Sequence, residues 1–327
     1  MKVSVVVPVY NEEGNLPELL GRLCAVMDGL ARPYELLFVD DGSRDRSLEI
    51  LKAAARERPS EIRVLELARN FGQHQAILAA FENVTGDVVV TLDADLQNPP
   101  EEIPKLLAKI EEGYDVVGGV RRDRQDTLLR RAASRLVNRA TTFITRMRLT
   151  DFGCMLRAYS REVVEEINRC DEASTFIPAL AQSFARRPTE VAVAHAARRH
   201  GASNYSLYRL IRLNFDLMTG FSLVPLQVFG LMGTVVAIGG VAFGIFLFGR
   251  RLVVGAEVEG VFTLFAILFT LLGIAMAGLG LVGEYVGRIY LQVRGRPRFR
   301  VRHVYGGGAA PAPRPETEDQ KPETVSR

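Results

Sequence analysis

The sequence predicts an α/β protein with a doubly wound sheet, followed by two membrane-spanning helices, and three observations carry the prediction. Short runs rich in Val, Ile and Leu at 3–9, 35–39, 62–67, 87–92 and 115–120 are bounded by Asn, Asp or Gly and read as buried strands. Segments with helical spacing at 16–30, 47–56, 73–83 and 103–111 separate them, the βαβα alternation of a sheet with crossover helices. Far along the chain, 226–248 and 261–282 are apolar and long enough to cross a bilayer.

In such sheets ligands bind beyond the carboxyl ends of the strands. Tyr10-Asn11-Glu12 follows the first strand, Asp40-Asp41-Gly42-Ser43 the second and Asp93-Ala94-Asp95-Leu96-Gln97 the fourth. Two carboxylates one residue apart, with an amide two residues on, supply hard oxygen donors for a divalent cation that also meets a diphosphate. An Asp-x-Asp by itself is as often a solvated loop, and three acidic strand ends on one edge raise its weight. Asp40 can accept hydrogen bonds from a ribose or from base N–H groups, while Ser43 or Asp45 caps the next helix. Pro8-Val9-Tyr10-Asn11-Glu12 ends its strand with an aromatic suited to packing on a base.

Of 327 residues, 48% are hydrophobic and the formal net charge is +3, too small a basic surplus for a nucleic-acid binder. Cys24, Cys154 and Cys170 have neither disulfide nor zinc-ligand spacing. The start, Met1-Lys2-Val3-Ser4, runs straight into a strand pattern, so the catalytic part is expected to stay in the cytoplasm. Segment 127–148 carries Arg130, Arg131, Arg135, Arg139, Arg146 and Arg148 with apolar residues at helical spacing, as an interfacial amphipathic helix does; 205–221 offers a second. Arg209 and Arg212 precede the first span and Arg288, Arg294, Arg296, Arg298, Arg300 and Arg302 follow the second, which puts both soluble ends on the cytoplasmic side. The expected organisation is a catalytic domain over 1–200, the interfacial helix 205–221, spans at 226–248 and 261–282, a basic cytoplasmic segment at 283–305 and a disordered tail at 306–327. Gly230, Gly233, Gly239, Gly240 and Gly244 suit close helix packing, within or between subunits.

Pro8 to Glu12, Asp40 to Ser43 and Asp93 to Gln97 resemble the nucleotide-sugar site of the inverting family 2 glycosyltransferases. That resemblance implies a GT-A fold, Rossmann-like with a doubly wound mixed sheet. The arginine-rich helix and the two spans narrow it to the polyprenyl-phosphate glycosyltransferases. Asn70-Phe71-Gly72-Gln73-His74, Asp151-Phe152-Gly153-Cys154-Met155-Leu156-Arg157 and Gly283-Glu284-Tyr285-Val286-Gly287-Arg288 resemble the subfamily that transfers 4-deoxy-4-formamido-L-arabinose from UDP to undecaprenyl phosphate, for lipid A modification and polymyxin resistance. By that resemblance Asp93, Asp95 and Gln97 hold Mg2+ or Mn2+, and Pro8, Tyr10, Glu12, Asp40 and Asp93 hold the nucleotide. Arg121, Arg130 and Ser134 position the acceptor phosphate, and the assembly is a homotetramer at the bacterial inner membrane. The family commonly has Lys where this chain has Asn204, after Gly201-Ala202-Ser203.

Rival readings meet specific obstacles. A processive polysaccharide synthase carries a Gln-x-x-Arg-Trp signature, and this chain has no tryptophan. A dinucleotide oxidoreductase needs a glycine-rich turn where Pro8 to Glu12 stands. A flippase partner or scaffold needs neither the acidic strand ends nor spans so free of ionisable residues.

Overall fold

The computed structural model describes residues 1–121, 153–170, 176–196, 215, 219–220, 222–254, 261–294 and 297–307. Among them, eight strands form one sheet: β1 Val3–Val9, β2 Tyr34–Asp40, β3 Ile62–Leu67, β4 Val88–Thr91, β5 Val116–Arg121, β6 Arg157–Ser160, β7 Pro188–Val193 and β8 Val301–Tyr305. Their order is β7-β5-β6-β4-β1-β2-β3-β8. β1 pairs in parallel with β2 and β4, and β2 with β3. β6 runs antiparallel to both β4 and β5, and β8 antiparallel to β3, so the sheet is mixed.

Helices α1 Leu16–Gly29, α2 Ser47–Glu57, α3 Gln73–Phe81 and α4 Ile103–Glu111 connect the first five strands. α5 Arg161–Arg169 and α6 Ile177–Phe184 follow β6. Residue alternation along the strands divides the core between the two faces. Val3, Val5, Val7 and Val9 with Leu36 and Phe38 pack on Leu16, Leu19 and Leu23 of α1 and on Leu106 of α4. Val6, Leu37, Val39 and Val89 on the opposite face pack on Ile77 and Phe81 of α3, Val163 and Ile167 of α5 and Leu180 of α6. Each such aliphatic side chain contributes about 1.5–3 kcal/mol on full burial, so this interior is what holds the strand ends in place.

α1 begins with Leu16-Pro17, proline being tolerated in a first turn whose N–H groups have no helical acceptor. α5 is capped by Ser160, whose Oγ accepts from the Val163 amide at 3.5 Å. The last two described helices, α7 Val224–Val254 and α8 Val261–Val293, extend beyond the expected 226–248 and 261–282. Leu231, Ile238, Ile245, Phe269, Met276 and Leu279 stand exposed along them, and both are long and apolar enough to cross a membrane. A Cβ at Gly278 would run into the Phe229 ring, so that glycine permits the α7–α8 approach. Gly230, Gly233, Gly239, Gly240 and Gly244 meet nothing within 4 Å. The Tyr285 hydroxyl donates to the Ser222 carbonyl at 2.7 Å, tying α8 to the residue two before α7.

β8 lies outside the 1–200 range expected for the catalytic unit. It returns after α8 and pairs with β3, covering what would otherwise be an open sheet edge. Segments 127–148 and 308–327, most of 205–221, and Asp151 and Asn204 lie outside the described residues.

Candidate functional site

Because β1, β2 and β4 run parallel, Tyr10, Asp40 and Asp93 emerge at one edge. β6 is antiparallel to β4 and to β5, which makes β5 point the same way as β4 and brings Arg121, its last residue, to that edge as well.

The two loops after β1 and β2 are tied to each other through backbone amides. Asn11 adopts φ +56°, a left-handed conformation that Asn tolerates; its amide donates to Ser43 Oγ at 3.1 Å and its Oδ1 accepts from Arg44 N at 2.8 Å. Ser47 Oγ accepts from Glu12 N at 2.8 Å, and Asp45 accepts from Glu13 N at 3.1 Å and from Ser47 N at 3.0 Å. Asp45 therefore serves the start of α2, and Ser43 Oγ, accepting from Asn11 N, keeps its hydroxyl proton for the Asp40 carboxylate. Gly42 sits at φ +72° with the Arg69 backbone 2.7 Å from where a Cβ would be, so only glycine fits.

A cleft of ≈ 290 Å³ opens here, lined by Tyr10, Asp40, Gly42, Ser43, Arg44, Glu66, Arg69 and Arg302 among others. Asp40 is 1% exposed. Its Oδ2 accepts from Ser43 N at 3.2 Å, and its Oδ1 is a buried acceptor with no donor. Burial pushes the Asp40 carboxyl above the usual range, and the Glu66 carboxylate adds to the effect. Tyr10 is 41% exposed at the rim, an aromatic face available for stacking.

Asp41 points elsewhere. Its carboxylate accepts from Phe71 N at 2.7 Å and Gly72 N at 2.8 Å, pinning the turn that enters α3. From that turn Gln73 Nε2 donates to Asp93 Oδ1 at 2.6 Å. Burial raises the Asp41 carboxyl despite those two amides. Asp41→Ala is expected to leave both amides without an acceptor and to cost about 1–3 kcal/mol, read as a lowered thermal midpoint, with Asp41→Asn recovering part of it.

The acidic turn after β4 is held just as closely. Asp95 is buried, its Oδ1 accepts from Gln97 N at 3.1 Å, and Leu96 between them adopts φ +60°. The Gln97 carbonyl accepts from Ala196 N at 2.9 Å, which ties the turn to the segment after β7. Behind it Thr91 Oγ1 donates to the Met155 carbonyl at 2.6 Å, and buried Arg157 donates from Nε to the Cys154 carbonyl at 2.9 Å.

Comparison with known proteins fits this edge. The family model described as Glycosyl transferase family 2 matches residues 4–168, from β1 through α5. The chain belongs to glycosyltransferase family 2. It is 52% identical over 320 residues, 97% of both chains, to "Undecaprenyl-phosphate 4-deoxy-4-formamido-L-arabinose transferase" of Shewanella sediminis. Relatives of the same name from Salmonella enteritidis and Serratia proteamaculans are also 52% identical, over 93% of this chain and 93% and 94% of theirs. The crystal structure of glucosyl-3-phosphoglycerate synthase from Mycobacterium tuberculosis, in complex with Mn2+, UDP and phosphoglyceric acid, is similar with TM-score 0.51 at 21% identity, covering 67% of this chain and 76% of that one. At that identity the likeness speaks to the GT-A fold.

For this family 2 glycosyltransferase the donor set of the acidic turn fits a divalent cation. Asp93, Asp95 and Gln97 offer carboxylate and amide oxygens, the hard ligands that magnesium and manganese prefer. No group of three or more His, Cys, Asp or Glu that could hold a metal occurs among the described residues. A site with two carboxylates leaves coordination positions for substrate phosphate and water, as magnesium sites in phosphate enzymes do.

The structure does not bring all the expected residues together. Tyr10 and Asp40 line the cleft, whereas Pro8, Glu12, Asp93, Asp95, Gln97 and Arg121 are not among its lining residues, and Glu12 Oε2 accepts from Asn15 Nδ2 at 2.6 Å at the start of α1. Arg130 and Ser134 lie outside the described residues. Sequence reasoning missed Asp41, Gln73 and Arg302. The first two sit in motifs whose other members drew the assignment; Arg302 was read only as one of the basic residues flanking the second span, because its segment was expected to be a basic cytoplasmic stretch and not a strand. His74, next to Gln73, lies edge-on to Phe176 with centroids 5.0 Å apart, and burial lowers its pKa to about 4. A neutral ring packed this way is structural.

Proposed function

We propose that this glycosyltransferase moves 4-deoxy-4-formamido-L-arabinose from UDP to undecaprenyl phosphate at the cytoplasmic face of the bacterial inner membrane, in the route that modifies lipid A. The observation that carries this reading is the 52% identity to transferases of that name over 97% of the chain, a length that takes in the membrane helices as well as the sheet.

Asp40 Oδ1, buried and without a donor, accepts the ring N–H of uracil, and Tyr10 packs on the base. Asp93, Asp95 and Gln97 hold Mg2+ or Mn2+, which when bound supplies Lewis-acid stabilisation of the diphosphate. Pro8 and Glu12 support the nucleotide indirectly, by shaping the loop around Tyr10. The acceptor phosphate is close to a dianion near neutral pH, its second pKa being around 6, so attack at the anomeric carbon needs no protein base. Arg121 at the end of β5, with Arg130 and Ser134, holds that phosphate in line; a guanidinium provides a two-pronged donor and a serine one more. One bond forms between the acceptor oxygen and the anomeric carbon as the bond to UDP breaks, the electron pair leaving with UDP. A single displacement inverts the centre.

The topology supports the two-span arrangement. β1 precedes α7 and β8 follows α8, yet both lie in one sheet, so a chain that crosses the membrane at α7 must return at α8. The arginines flanking the spans favour the cytoplasm for that side, and the α7 glycines that meet nothing within 4 Å suit packing between subunits of a homotetramer.

The test is incubation of purified protein with undecaprenyl phosphate and a panel of UDP-sugars, followed by mass measurement of the lipid product. Only the formamido-arabinose adduct is expected, and a glucose, mannose or N-acetylglucosamine adduct instead would reassign the donor. Arg130→Ala is expected to raise the KM for the lipid phosphate about tenfold or more, with the Kd for UDP unchanged by calorimetry. An unaltered lipid KM removes Arg130 from the acceptor site.

A further inference from the structure

We propose that Arg302, on the strand that follows the second membrane helix, is a nucleotide-binding residue that donates to a carbonyl of the base. The inference rests on the reading that the cleft takes a uridine nucleotide. β2, β3 and β8 are neighbours in the sheet, and Asp40 is opposite Glu66, which is opposite His303. Leu67 is opposite Val301, so the register shifts between Glu66 and Leu67 and leaves Arg302 as the extra residue on β8. A bulge of this kind turns a side chain away from strand alternation and is found beside binding sites. Here it brings Arg302 to the cleft that Asp40, Tyr10 and Arg69 also line.

The Arg302 side chain, 64% exposed, meets Glu66 through its guanidinium. Nη1 lies 3.6 Å from Glu66 Oε1, while Glu66 Oε2 accepts from the Tyr305 hydroxyl at 2.6 Å and has Lys52 Nζ at 3.6 Å. Lys52 also lies over the Tyr305 ring, 4.3 Å from its centroid. The guanidinium thus offsets the second carboxylate beside Asp40 and keeps donors for a ligand, having five N–H groups in all. Sheet order decides which part of the ligand it meets. The acidic turn follows β4, on one side of β1 and β2, whereas β8 lies beyond β3 on the other side. Arg302 is therefore at the end of the cleft away from the diphosphate, where the base sits on Asp40. Uracil presents a ring N–H flanked by two carbonyls, and an acceptor beside a donor matches that edge.

The test uses full-length protein in detergent with UDP, UMP and inorganic pyrophosphate as calorimetric ligands. Arg302→Ala is expected to weaken UDP and UMP by the same factor, roughly tenfold, with pyrophosphate binding unchanged. Arg302→Lys keeps the strand and the charge and carries the same readout if the alanine variant does not fold; it should recover only part of the loss, because an ammonium cannot reproduce the planar fork. A lowered thermal midpoint with UDP and UMP affinities unchanged would make Arg302 a strand-packing residue and overturn the proposal. A loss confined to UDP and pyrophosphate would overturn it too, by moving the contact to the diphosphate. Failure of the unmutated protein to bind UDP or UMP would remove the nucleotide reading itself, a result distinct from either.

Discussion

Asp95→Ala is expected to lower sugar transfer by about 10³-fold or more, the loss that follows when charge developing on a leaving group is left without its electrostatic partner. The side chain has two duties. It is one of the two carboxylates proposed to hold the cation, and its Oδ1 accepts from Gln97 N to hold the turn in which Leu96 takes φ +60°. Asp95→Asn separates these duties, since an amide oxygen can still accept from Gln97 N while the negative charge is gone. Both variants should be inactive by mass measurement of the lipid product, and both are expected to fractionate with the membrane to the same extent as the unmutated protein. Activity retained in Asp95→Asn but lost in Asp95→Ala would assign Asp95 to the turn alone. Activity retained in both would end the metal-site assignment.

Asp40→Ala is expected to weaken UDP binding about 10- to 100-fold, the range for a hydrogen bond to a charged acceptor. Stability should move little or rise. A carboxylate 1% exposed next to Glu66, with one oxygen lacking a donor, is held in the fold at a cost that alanine removes, offset by the lost bonds from Ser43 and the Gly42 backbone. Binding sites commonly carry such a cost. The same carboxyl sets a pH dependence. Its folded pKa is raised by burial, so its contribution to stability is fully present below the ordinary aspartate pKa and is lost as pH rises through the folded value. Ligand N–H donation favours the ionised form, and UDP affinity should accordingly fall as pH is lowered through that raised value. Calorimetry of UDP against pH checks the sign, and Asp40→Ala should flatten the profile. An unmutated protein whose UDP affinity rises on acidification would place the base elsewhere.

Strands β1 to β5 and helices α1 to α4 were legible because each is coded locally. Runs of Val, Ile and Leu ending in Asn, Asp or Gly mark buried strands, and the period switches to 3.6 between them. The parallel pairing of β1, β2 and β4 then follows from the crossovers, so the convergence of Tyr10, Asp40 and Asp93 could be expected before any coordinates. β6 escaped notice. Its four residues, Arg157–Ser160, begin with a charge and are too short to show a period. Asp40 was already the carboxylate assigned to the ligand; the duty of Asp41 on the Phe71 and Gly72 amides was hidden, since those amides lie 30 and 31 residues on.

Residue order alone was enough for the alternation of strands and helices, the acidic edge and the two apolar helices, because burial, periodicity and turn chemistry act between near neighbours. Folding in three dimensions chose the rest. It committed Asp41 to the Phe71 and Gly72 amides, set Gln73 on Asp93, drew Glu12 to Asn15, and brought Arg302 into the cleft beside Asp40. Tyr305 meets Glu66 across 239 positions of sequence. No local signal specifies a partner at that distance; a sheet edge with unpaired backbone groups accepts whichever strand the two apolar helices return to it.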